Sequence, residues 1–176
     1  MKKIVQSKRK FGYYRKLNPA QKRIYDKSDA IENVMLPQAG RFNKVIADLE
    51  KALDLDDLLL TQTASKRLVD GLCLVFNVPH IHVHVLGKRP STRSSELHGL
   101  YEAGEGKPTK ISVWMRTAKK KQVVAFPTFL RTIIHEFLHH LDYEYFKLQH
   151  SFHTQGFYQR ESRLTRDLKA KKRTTV

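Results

Sequence analysis

The hydrophobic period of this chain changes twice, and the order of the changes limits the folds open to it. Phe42, Val45, Ile46, Leu49 and Leu53 recur at helical spacing, and so do Leu60, Ala64, Leu68, Leu72 and Val75. Asn77 and Pro79 end the second of these helices. In residues 80–85 the period drops to two. Ile81, Val83 and Val85 alternate with His80, His82 and His84, the pattern of a half-buried strand. Residues 97–101 and 110–115 read as two more strands, joined by a Gly-containing turn at 103–108. From 127 to about 147 the helical period returns in Leu130, Ile134, Phe137, Leu138, Leu141 and Tyr145, and a last helix follows Thr154 to about Leu168. Upstream, Asn18 and Pro19 supply an N-cap and a first-turn proline for a helix reaching about Asn33. Helices, a small mixed sheet and two closing helices predict an α+β fold.

A chain of 176 residues carries one domain with a modest core. That domain is expected at 18–168, with a helical part at 18–77 and a core at 78–168. Residues 1–17 read as a basic arm and 169–176 as a basic tail. Cys73, the single cysteine, excludes an internal disulfide and any multi-cysteine zinc ribbon, and its place in an apolar helical stripe predicts a buried structural thiol. Every apolar run is too short for a membrane span, and charges interrupt the N-terminus before a signal-peptide core forms. A cytoplasmic protein is expected. Its net charge is +16. Residues 1–30 hold 10 basic and 2 acidic side chains and residues 159–176 hold 7 and 2, whereas 31–100 balance at 8 and 8. Such ends attract polyanions, nucleic acid before anionic membrane. Phe11, Tyr13, Tyr14 and Tyr25 among those cations suit phosphate contact with base stacking, so DNA is an expected partner. The residues at 88–95 read as a polar loop, and Lys119, Lys120 and Lys121 as an exposed basic one.

His135-Glu136-Phe137-Leu138-His139 is an H-E-x-x-H. Residues four apart on a helix lie about 40° apart around it and about 6 Å along it, so both imidazoles reach one Zn²⁺. Glu136 sits about 100° from His135, placed to take a proton from water whose acidity the metal raises. With 9 histidines and 8 glutamates, chance supplies roughly 0.02 such matches in a chain of this length. Zinc needs a third protein ligand, and His153, His150 and Glu161 all lie downstream.

Residues 129–157, with this motif and the later His153 and Phe157, resemble the SprT-like (Spartan-type) zinc metallopeptidases. In that family the H-E-x-x-H helix is followed about a dozen residues on by a histidine opening the next helix, with an aromatic four residues later. The resemblance spans roughly residues 78–168. It implies a zincin-like core, His153 as third ligand beside His135 and His139, Glu136 as catalytic base, and residues 111–115 as an edge strand for substrate. His153-Thr154 stands where the family often has His-Gly.

The resemblance implies a zinc-dependent endopeptidase acting on protein, including protein held on or crosslinked to DNA, with a nucleoid association in the cell. Two alternatives stand beside it: a zinc-containing DNA-binding module without peptidase activity, and a peptidase with a dedicated soluble substrate. Asp142, seven residues after His135, shares its helical face and is a candidate to hydrogen-bond a ligand imidazole. His140 reads as a packed or surface residue, and the 80–84 histidines as an outward polar face beside the cleft. Tyr143, Tyr145 and Tyr158 read as core aromatics.

Overall fold

The computed structural model describes residues 10–90, 96–104 and 106–169. The expectations for residues 1–9, for 91–95 of the polar loop and for 170–176 of the basic tail lie outside the described residues.

Asn18 and Gln21 cap the first helix reciprocally, each side chain accepting from the other's backbone N–H at 2.9 and 3.0 Å. With Pro19 in the first turn, α1 runs Pro19–Ala30, three residues short of the expected end. Helix α2 is Asn43–Asp54. Helix α3, Leu58–Phe76, starts where Asp57 accepts from the Leu60 N–H and stops where Asn77 turns left-handed (φ 50°). Strands β1 (His82–Lys88), β2 (Gly99–Glu102) and β3 (Lys110–Arg116) follow. Helices α4 (Phe126–Glu144) and α5 (Gln155–Lys169) complete the α+β order. Helix α4 ends before residue 147 because the Tyr145 and Phe146 N–H groups both fold back on the Leu141 carbonyl, and the Leu148 N–H on that of Asp142.

The sheet runs β1-β3-β2, with β1 parallel and β2 antiparallel to β3. This corrects the expected edge strand at 111–115. Strand β3 is central, and Ser112 and Trp114 on its second face are buried too, as its near-continuous apolar run requires. The edge beside α4 is β2. On the helix side, Val83 and Val85 of β1 and Ile111, Val113 and Met115 of β3 join one core with Leu68 and Leu72 of α3 and Ile133 and Phe137 of α4. Cys73 is buried there, and burial pushes its thiol up to about 11. Leu60, expected in the α3 stripe, is half exposed; Thr61 and Ala64 take the buried line.

Residues 10–17 do not stand free as an arm. They form a 3₁₀ turn, Gly12–Lys16, against the domain. Tyr25 is fully buried. Tyr13 meets it edge-on and packs with Phe152, while Phe11 meets Tyr158 edge-on. Tyr25 is thereby closed to a nucleic-acid base, while Phe11 and Tyr13 keep more than a third of their surface exposed. No helix among the described residues is long and apolar enough to cross a membrane.

Candidate metal centre

Helix α4 is held from within. Phe129, Leu130, Ile133, Ile134, Phe137, Leu138 and Leu141 are all buried, which turns the remaining face, with His135 and His139, toward a cleft between β2 and α5. His153 comes from the irregular link before α5, whose first turn is capped by Thr154 Oγ1 accepting from the Phe157 N–H at 2.9 Å.

The three imidazoles converge. His153 Nε2 lies 3.0 Å from His135 Nε2 and 3.1 Å from His139 Nε2. Phe157 packs against all three rings. Nitrogens on a tetrahedral metal with bonds of about 2.0–2.1 Å sit about 3.3 Å apart, close to the two distances from His153, and all three ligand atoms lie within 4.8 Å of one another. The far side of His139 determines its tautomer. Ser151 Oγ donates to Asp142 Oδ2 at 2.7 Å and lies 2.7 Å from His139 Nδ1. With its one proton committed to a carboxylate, the serine accepts from Nδ1–H, and His139 Nε2 is left with a lone pair facing the cluster. Burial and the neighbouring histidines hold His139 down at about 3, and burial and His135 lower His153, so both favour the neutral, ligating form. These three histidines can hold a metal ion.

Glu136 lines the same cleft beneath β2. Gly99 of β2 lies directly against it, and a Cβ there would sit 2.5 Å from its Oε1. Only glycine lets the strand come this close. Burial pushes the Glu136 carboxyl up to about 7, against the pull of His135 and the Tyr101 N–H.

In comparisons with protein-family models, curated proteins and solved structures, nothing matches this chain.

The other candidates separate cleanly. His150 is exposed against Phe152 and outside the cluster. Glu161 is not a member of it either. Arg131 grips both its oxygens, at 2.9 and 3.1 Å, and its Oε1 stands 3.6 Å from His135 Nδ1. Burial works to raise the Glu161 carboxyl, but His135 and Arg131 outweigh it and hold the group below its usual range. Asp142 acts on a ligand imidazole through Ser151 rather than directly. His140 is a core residue, its Nε2 2.9 Å from the Pro79 carbonyl oxygen. His80, His82 and His84 are exposed on or beside the far strand β1, away from the cleft. Tyr143 stacks on Tyr101 at the cleft wall, Tyr145 is half exposed against Phe76, and Tyr158 lies against His135 and His153. Sequence reasoning missed Ser151, Gly99 and Tyr101. Ser151, two residues before His153, carried no signal of its own.

Proposed function

We propose that this protein is a zinc-dependent endopeptidase of the SprT-like kind, with His135, His139 and His153 as ligands and Glu136 as general base. The observation that carries the proposal is the convergence of three imidazole Nε2 atoms beside a buried glutamate, under the open edge of β2. An all-histidine donor set suits zinc among the available metals. The H-E-x-x-H helix packed against a strand edge supports the zincin-like core.

When bound, zinc supplies Lewis acidity, polarising a peptide carbonyl and making water a stronger acid. Glu136 takes the proton from the attacking water on a carboxylate oxygen and returns it to the leaving amine. The close approach of Gly99 to Oε1 limits where that carboxylate can sit before substrate arrives. The outer edge of β2, with no further strand beside it among the described residues, suits an extended peptide. Protein held on DNA is the substrate class favoured by the +16 charge, with phosphate attraction as its main basis now that Tyr25 is buried and only Phe11 and Tyr13 of the N-terminal rings stay exposed.

Purified protein is expected to bind about one zinc per chain, and a chelator is expected to abolish casein cleavage. Glu136→Gln is expected to keep its zinc while turnover falls roughly 10²–10⁴-fold. No zinc uptake, or full activity in Glu136→Gln, overturns the peptidase reading.

A further inference from the structure

His135 and His139 are fixed by the helix that carries them. His153 is not: residues 151–154 form no regular element, so its position depends on what holds the link. Ser151 anchors the link on one side through His139 and Asp142. Within it, the Thr154 N–H bonds to the Phe152 carbonyl at 2.9 Å, closing a tight turn around His153. The third hold comes from the opposite end of the chain. The Tyr13 hydroxyl donates to the His153 carbonyl oxygen at 2.8 Å, across 140 residues of sequence.

We propose that Tyr13 is a positioning residue for the third metal ligand, and that the segment around it is a working part of the metal centre rather than an appended arm. The segment is built to hold that hydroxyl in place. Tyr25 accepts from the Phe11 N–H at 3.3 Å, the Tyr14 hydroxyl donates to Asp26 Oδ2 at 3.1 Å, and Lys10 pairs with Asp26. The Tyr13 ring packs against Tyr25 and against Phe152, the residue preceding the ligand. A carbonyl held from outside restricts the backbone rotation that would swing His153 Nε2 away from its two partners. Ordering a ligand before the metal arrives removes that cost from binding.

This inference rests on the metal reading of the three histidines, and the test separates the two. Zinc affinity is measured by competition with a chromophoric chelator on the full chain, and ligand geometry by the visible spectrum of the cobalt(II)-substituted protein. Tyr13→Phe keeps the ring and removes the hydroxyl. Tyr145→Phe removes a hydroxyl from a half-exposed ring on Phe76, away from the cluster and from the Tyr13 segment. Tyr13→Phe is expected to weaken zinc about threefold to tenfold, the size of one net hydrogen bond, and to alter the cobalt spectrum. Tyr145→Phe is expected to match wild type in both. Wild-type affinity and spectrum in Tyr13→Phe, or an equal loss in both variants, overturn the inference and leave the metal site standing. No metal uptake by the wild type overturns both.

Discussion

At the scale of single residues, the contact between Gly99 and Glu136 decides how much freedom the proposed base has. Gly99→Ala would set a methyl 2.5 Å from Oε1 and 2.8 Å from Cγ of Glu136, with Thr132 Cγ2 also at 2.8 Å. The side chain is buried, so it cannot simply swing into water. A displacement on the order of 1 Å at a catalytic group costs about a hundredfold in rate. Gly99→Ala is therefore expected to lose about that much kcat on a peptide substrate while binding zinc as wild type does; unchanged kcat would show that the strand does not position Glu136. His135, Glu136 and His139 are legible in the sequence because a spacing of four on a helix is itself a statement about space. His153 is singled out only by the resemblance, which pairs it with Phe157; spacing alone leaves His150 and Glu161 open. Ser151 and Tyr13 are not legible. A serine contacting a histidine 12 residues away, or a tyrosine one 140 residues away, is made by the packing of whole elements and leaves no local trace.

At the scale of elements, the junction of α1 with α5 carries the support of the site. Arg160 of α5 is fully buried and donates to the Ser28 carbonyl oxygen at 2.8 Å, to the Ile31 carbonyl oxygen, and to Asp142 Oδ1 of α4 at 2.8 Å. The cation meets the C-terminal carbonyls of α1, where a helix end favours positive charge. Asp142 then passes the constraint through Ser151 to His139. Close approach is enforced at Gly156, where a Cβ would lie 2.5 Å from the Asp29 carbonyl oxygen. Arg160→Met is expected to destabilise the fold by about 3–5 kcal/mol, since it strands Asp142 as an unpaired buried charge. A shift in the urea midpoint worth under about 1 kcal/mol would show that the pair contributes little. Both helices are legible in the sequence, α1 from its Asn18-Pro19 start. Their contact is not, because periodicity marks which face of a helix is apolar and not which helix covers it. Strand order is hidden for the same reason: the apolar run of β3 says that both its faces are covered, not which strands flank it.

At the scale of the whole molecule, the proposed functions make separable demands. If the basic ends and α1 contact a phosphate backbone, binding to single-stranded DNA should fall with salt at a slope of about −0.7 per contact in log K against log salt. Five contacts would cost roughly a hundredfold between 50 and 200 mM. Filter binding across that range measures it, and salt-insensitive binding would favour a dedicated soluble substrate. Zinc at 100 times its dissociation constant should raise folding stability by about 2.7 kcal/mol, read as a higher melting temperature. The closure of α5 onto α1 also has a consequence for how the protein is made. The bonds from Gly156 and Arg160 back to Asp29, Ser28 and Ile31 span 127 to 132 residues. On a ribosome that interval lasts on the order of ten seconds, during which α1 has emerged without Phe152 against Tyr25 and without the helix whose Arg160 takes up its last carbonyls. The H-E-x-x-H helix emerges before its third ligand and before the arginine that steadies its aspartate. Any metal held by the three histidines must wait for His153, and a nascent chain cut short before it leaves translation with only His135 and His139 of that cluster.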